Sequence, residues 1–214
     1  MNTFQEISRR LRYGLIIQTL LSLLGKLGFY MTPFYVHLEG NFGQDCDDLS
    51  EGFAECEALF LGPREMKTIA ELPYRKESKE ELLIRLDEGK KCFAVKCNGD
   101  LAAFTWCDFE RCNSSLYSFK LEENEAYLFD AYTLIPFRGR KIAPYLRCKC
   151  YQALEALGIN KFYSITLYFN EPAVRFKKKL HARPIMLAIH MRLFKKWRWT
   201  WKIKSYNSPI DEKL

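Results

Sequence analysis

The segment EAYLFDAYTLIPFRGRKIAPYL, residues 125–146, decides how the chain is read. Glu125–Ile135 is rich in Tyr, Phe, Leu and Ile, which suit a pleated, half-buried surface. It runs into Pro136, which cannot donate to a ladder, so a strand is predicted that stops there. Phe137–Arg140 forms a loop. Ile142, Tyr145, Leu146, Tyr151, Leu154 and Leu157 then recur near helical spacing until Gly158, which predicts a helix from about Ile142 to Leu157. Phe162–Phe169 reads as the next strand. A strand–helix–strand unit requires a parallel pair joined by a right-handed crossover.

Working outward, Ala58–Leu72 suggests an extended segment leading to a loop at Pro73. Lys76–Gly89 carries Leu82, Leu83 and Leu86 among charges and ends in glycine, the pattern of a short amphipathic helix. Cys92–Val95 and Leu101–Cys107 flank Asn98-Gly99-Asp100, a strong hairpin signal. Residues 112–124 read as a polar connection. Downstream, Pro172 suits the first turn of a helix running to about Leu180. Ile185–Phe194 and Trp197–Ile203 read as two strands. The expected fold class is α/β (α+β), a mixed and mostly antiparallel sheet with helices on its faces. The domain is expected over 58–206, after an N-terminal amphipathic extension (1–40) and an acidic linker (41–57), with a tail at 207–214.

With 214 residues, 48% hydrophobic and 28% charged, the composition is that of a globular domain. It excludes a wholly disordered chain, a collagen and a small disulfide-stapled scaffold. The net charge is +7, unevenly spread. Asn41–Glu65 holds seven acids and one base, whereas Arg138–Lys204 holds seventeen bases and two acids. The basic half is either a solvated face or a site for an anionic partner such as a phosphate-bearing cofactor, nucleic acid or anionic lipid. The eight cysteines include no C-x-x-C pair, and reduced thiols in a cytoplasmic protein are expected.

The apolar run Gly14–Leu24 is shorter than the ~20 residues of a spanning helix. A helix from about Phe4 to Leu27 would align Arg12, Thr19, Ser22 and Lys26 as a polar stripe. Such a helix lies at a membrane interface, covers a partner or packs on its own domain, with a spanning anchor a weaker reading. Trp197, Trp199 and Trp201 alternate with polar residues, as on a half-buried strand; packing is the plainer reading, membrane contact the alternative. A homodimer stays open.

The loop after Pro136 carries the functional signal. A strand-to-helix loop presents unpaired N–H groups beside the positive end of a helix dipole, an anion site suited to a pyrophosphate. Gly139 and Ala143 allow close approach; Arg138, Arg140 and Lys141 add charge. The segment resembles the acyl-CoA-binding motif of the GNAT superfamily of N-acyltransferases, Gln/Arg-x-x-Gly-x-Gly/Ala after the fourth strand. Arg138, Ile142 and Ala143 match it, while Lys141 replaces the central glycine. Asn170-Glu-Pro-Ala173-Val-Arg-Phe-Lys177-Lys-Lys179-Leu180 resembles the family's Asn-x-x-Ala-x-x-x-Tyr-x-Lys-Leu helix, with Lys177 at the tyrosine. Arg85-Leu-x-x-Gly89-x-x-Cys92-Phe, Asn98-Gly99 and Trp106 also sit where bacterial members show similar residues.

The resemblance spans about residues 58–203. It implies a splayed parallel strand pair holding acetyl-CoA, or another acyl-CoA, as co-substrate, with no metal. It places the pyrophosphate on Arg138, Gly139, Arg140, Lys141, Ile142 and Ala143. Leu134 and Ile135 would pair with the pantetheine amides, and Asn170 and Lys177 would complete the cofactor set. Glu125 is the implied general base and Asp130 the second candidate; five residues apart, they face opposite sides of a regular strand. Lys177 acts as a neutral-pH acid only if burial lowers its pKa. Tyr168 and Tyr163 are the alternative hydroxyl donors. The expected function is N-acetyl transfer to a small-molecule or envelope-precursor amine, in the cytoplasm or at the inner membrane surface. The alternative is an acyl-CoA-binding sensor or scaffold without turnover. No nucleic-acid motif is present, and that partner is not expected.

Overall fold

The computed structural model describes residues 16–40, 52–73, 75–194 and 196–206. The predicted start of the first helix, the acidic stretch 41–51 and the tail 207–214 lie outside them. Helix α1 (Ile16–Lys26) leads into strand β1 (Phe29–Glu39). Strand β2 (Cys56–Leu61), a 3-10 turn (Pro63–Glu65), α2 (Met66–Ala70) and α3 (Lys79–Asp87) follow. Next come β3 (Lys91–Cys97), β4 (Asp100–Asp108), the short strands β5 (Arg111–Asn113) and β6 (Ser118–Lys120), and β7 (Glu125–Thr133). The chain continues through α4 (Ile142–Glu155), β8 (Lys161–Leu167), α5 (Glu171–Lys179), β9 (Arg183–Leu193) and β10 (Trp197–Ser205). Among the described residues, eight strands form one sheet in the order β10-β9-β1-β8-β7-β4-β3-β2, and β5–β6 forms a separate hairpin.

Period-two alternation sorts the core into two faces. In β3 and β4, Phe93, Val95, Ala103 and Cys107 pack with the buried face of α4. Cys92, Ala94, Phe104 and Trp106 point the other way, against Met66, Ile69 and Leu82 of α2 and α3. Under the β5–β6 hairpin, Phe34, Val36, Tyr127 and Tyr163 meet Cys112 and Phe119. Helices therefore cover both faces, as predicted. The predicted hairpin is present: Asn98 and Gly99, both at positive φ (53° and 83°), make the two-residue turn between β3 and β4. Ser78 caps α3, its Oγ accepting from the Glu81 N–H (3.2 Å) while Glu81 Oε2 accepts from the Ser78 N–H (2.7 Å).

Four readings need correction. Phe29–Glu39 is not part of an extension: β1 lies between β8 and β9, antiparallel to both. The strand is buried on both faces, with Phe34 and Val36 on one and His37 and Glu39 on the other. Pro33 fits because β8 ends opposite Phe34, so the missing N–H forfeits no ladder bond there. Ala58–Leu72 is extended only to Leu61; Met66 and Ile69, fully buried, turn the rest into α2. The connection 112–124 contains the β5–β6 hairpin. The cysteines are not all thiols: Cys56 and Cys97, direct partners across β2–β3, form a disulfide, and Cys148 is also disulfide-bonded. The acidic linker thus ends before Cys56. Among the described residues, no helix is long and apolar enough to cross a membrane.

Phe34, with no exposed surface, joins β1 to the hairpin core. Phe34→Ala should cost about 3–5 kcal/mol in urea denaturation. A loss under about 1 kcal/mol would contradict a core position for β1.

Candidate active site

Strands β7 and β8 pair in parallel at only three positions, Glu125 with Lys161, Ala126 with Phe162 and Tyr127 with Tyr163. Beyond Tyr127 they part. The β4–β7 register shifts between Phe104 and Trp106, and Asp130 takes a positive φ of 48°. The gap opens between α4 and α5 as a cavity of about 510 Å³. A second cavity, of about 860 Å³, covers the loop before α4. The two share Thr133, Arg138, Ala143, Pro172 and Phe176 and make one groove running from the surface into the sheet.

The outer end is built for an anion. Arg138 Nε donates to the Thr133 carbonyl (3.0 Å), and its guanidinium lies over the Tyr132 ring (5.5 Å). Gly139 (φ 80°) and Lys141 (φ 61°) curl the chain into the start of α4. Among the described residues no side chain caps that helix, and no acid stands in its first turn, so its leading amides face the groove with the positive end of the dipole. Lys141 adopts a left-handed conformation that favours glycine, at the motif position where glycine is expected.

The inner end is a buried ionic cluster. Lys177 Nζ, from α5, donates to Glu39 Oε1, and the Tyr151 hydroxyl donates to Glu39 Oε2. Arg147 Nε stands 3.5 Å from Glu39 Oε2. Arg147 Nη1 donates to Thr105 Oγ1 (3.1 Å), which donates to the Phe129 carbonyl (3.1 Å) beside the bulge. Burial opposes the charge on Glu39, but Arg147 and Lys177 outweigh it and hold the carboxyl well below its usual range. Burial, aided by Arg147 and opposed by Glu39, pulls Lys177 down to about 8. His37 is lowered to about 4 by burial and then by Lys177, which leaves it neutral at pH 7.

The structure brings some of the predicted residues together and separates others. Arg138, Gly139, Lys141, Ile142, Ala143, Asn170 and Lys177 line the groove; Arg140 lies exposed in the same loop. Asn170 Oδ1 caps α5, accepting from the Ala173 N–H (3.3 Å). The chain at Leu134 and Ile135 leaves the extended conformation of β7 for a 3-10 turn (Ile135–Phe137). The Leu134 N–H donates to Ala102 (2.9 Å), and both carbonyls accept within the 3-10 turn (Ile135–Phe137).

Glu125 is buried at the closed end of β7 and lines neither cavity. Its Oε1 accepts from the Tyr163 hydroxyl (3.1 Å) and its Oε2 from the Glu122 N–H (3.0 Å). Tyr168 stacks on Tyr35 (5.4 Å) outside both cavities. Asp130 lines the inner cavity, but Arg75 grips both its oxygens (2.7 and 2.8 Å) and Arg85 adds a third bond (2.8 Å). The two arginines lie over Phe104 and Trp106, so the bulge turns Asp130 to the α3 face. Glu125 points to that same face, toward Tyr163, and the expected opposition of the two carboxylates is lost. Sequence reasoning missed Glu39, Arg147 and Thr105. The available signal was Arg147, a charge on the apolar side of a helix.

Residues 53–182 match the acetyltransferase (GNAT) family profile, and the chain belongs to that family. No curated protein is significantly similar to it in sequence. Among solved structures, a tandem GNAT protein of the clavulanic acid biosynthesis pathway, without acetyl-CoA, superposes with a TM-score of 0.52 at 13% identity, over 83% of this chain and 55% of that one. A Drosophila protein gives 0.51 at 10% identity, over 85% and 58%. A functionally unknown conserved protein of Staphylococcus epidermidis gives 0.51 at 7%, over 81% and 66%. This chain therefore spans little more than half the length of the first two, and likeness at such identities carries the fold alone.

Two substitutions test the site's construction. Lys141→Gly should raise stability by about 1 kcal/mol by relieving the left-handed backbone. Glu39→Gln should cost about 3–5 kcal/mol, because two buried cations lose their counter-charge. Urea denaturation reads both, and an unchanged midpoint for Glu39→Gln would refute the buried cluster.

Proposed function

We propose that this acyltransferase-family chain is an N-acyltransferase, moving an acetyl group from acetyl-CoA to a primary amine by direct attack. The continuous groove, basic and amide-lined outside and ending at a buried ammonium inside, carries this reading. A pyrophosphate suits the Arg138–Ala143 loop, and a thin arm suits the gap where β7 leaves β8. The bound thioester would then lie near the inner cluster, with the acceptor nitrogen approaching through the parted strands.

The chemistry is one substitution. The C–N bond forms, the C–S bond breaks, nitrogen loses a proton and sulfur gains one. Lys177 supplies the sulfur's proton. An ammonium near pKa 8 is well matched to a thiol of about 8.5, so transfer in the transition state is efficient. With Arg147 it leaves the cluster one positive charge in excess of Glu39, which favours a departing thiolate. The proton lost from nitrogen passes to water, which later reprotonates Lys177. Asp130, spread over three guanidinium hydrogen bonds, holds the bulge rather than the amine proton.

One observation favours acyl-CoA binding without turnover: cations or hydrogen-bond donors engage both carboxylates expected to act as bases. Free-thiol release from acetyl-CoA over a panel of primary amines separates the readings. Turnover is expected, and binding without thiol release would leave the sensor reading. Lys177→Met should lower kcat by about 10²-fold or more with acetyl-CoA affinity retained. Glu125→Gln should leave turnover unchanged. Because the acid form of Lys177 exists below its pKa, kcat should fall as pH rises through about 8, and that limb should vanish in Lys177→Met.

A further inference from the structure

A separate cavity of about 310 Å³ lies on the hairpin face of the sheet, at the β1–β9–β10 end. Arg192, Arg198, His190, Tyr30, Thr32 and Ser115 line it, and among the described residues no acid does. Arg192 and Arg198 are direct cross-strand partners, so their side chains rise together from one face. Like charges so placed repel, and a strand pair carries them at a cost unless something negative lies between. Among the described residues, no carboxylate pairs with either arginine, and the buried Arg192 Nε has no hydrogen-bond partner. The Arg192 guanidinium stacks over Tyr30 (4.5 Å), which fixes its plane. Thr200 Oγ1 donates to the Leu116 carbonyl (2.7 Å) and so accepts from His190 Nδ1 (3.0 Å), pinning the hairpin turn over the cavity. From Pro172 to Ile210 the sequence has eleven Lys or Arg and no Asp or Glu.

We propose that this cavity is a binding site for a phosphate group. Two guanidiniums match the two charges of a phosphomonoester, and Thr32 and Ser115 add neutral donors. A carboxylate would leave one positive charge unmatched. The cavity is at the small end of ligand sites and leaves room for a sugar-sized body beside the phosphate. The site shares no residue with the acyl-transfer groove and stands whether or not that reading holds. The phosphate has two sources, a soluble phosphorylated compound or a lipid headgroup. The lipid source draws on β10 being the sheet edge, with Trp197 and Trp201 exposed on its other face.

Calorimetry with glucose 6-phosphate, and sedimentation with phosphatidic acid vesicles, test the site on the full chain. Glucose and phosphatidylcholine vesicles serve as controls. At least one phosphomonoester probe should bind and both controls should not; the probe that binds identifies the source. Arg192→Gln and the exposed Arg198→Gln should each weaken binding by about tenfold or more. The double variant Arg138→Gln/Arg140→Gln, in the groove loop, should retain it. Thermal unfolding checks that each variant folds, and Arg198→Gln carries the test if Arg192→Gln does not. Binding unchanged in Arg198→Gln, binding abolished in the loop variant, or no binding of either phosphomonoester probe would overturn the proposal.

Discussion

The Glu39 carboxylate is shared by a lysine and an arginine that arrive on two different helices. Burying either cation alone is costly, because the desolvation of each is uncompensated until Glu39 is placed between them. Glu39 comes from β1, the strand that also joins β8 to β9. One ionic contact thus fixes three things together: the seating of α5 over the groove, the seating of α4 beneath it, and the place of β1 in the middle of the sheet. The Arg147–Thr105–Phe129 chain of hydrogen bonds carries that constraint on to the bulge in β7.

The bulge is the second constraint. A regular β7 would keep pairing with β8 and close the groove. The left-handed Asp130 stops this, and its side chain, turned to the α3 face, is clamped by Arg75 and Arg85. The clamp offsets backbone strain of order 1–3 kcal/mol at a non-glycine residue. Asp130 was a reasonable candidate base by position. Its environment makes it a structural anchor, since three guanidinium hydrogen bonds from Arg75 and Arg85 occupy both its oxygens.

Legibility in the sequence followed the range of the interactions. The β3–β4 hairpin, the helix stops at Gly89 and Gly158, and the β7–α4–β8 crossover rest on local signals, and the structure has them. The loop residues Arg138–Ala143 were readable for the same reason, since a strand end, two small residues and a helix start are adjacent in sequence. Helix α2 and strand β1 were not. The first is five residues long and made by the burial of Met66 and Ile69; the second follows directly on the apolar helix α1, is interrupted by Pro33 and finds its partners β8 and β9 far downstream. Glu39 and Arg147 are 108 positions apart, and nothing local announces that they meet. Glu125 lines neither cavity, and strand position alone does not say where a carboxylate finds its partners. Here Tyr163 and the Glu122 amide take it at the closed end of the pair.

The departure at Lys177 and the insertion of β1 are best understood as one feature. A phenol in that position is neutral at pH 7 and needs no counter-ion. An ammonium does, and burying it beside Arg147 without a carboxylate would drive it to its neutral form, in which it has no readily transferred proton. Glu39 opposes that shift, while burial and Arg147 promote it. The balance leaves Lys177 near 8 rather than at the 10.5 of a free lysine. It remains mostly protonated at neutral pH, yet is a far stronger acid than an exposed lysine. A chain in which lysine replaces the usual tyrosine therefore also requires a carboxylate from outside the residues that carry the family's motifs. β1, which precedes residues 53–182, is the element that brings it.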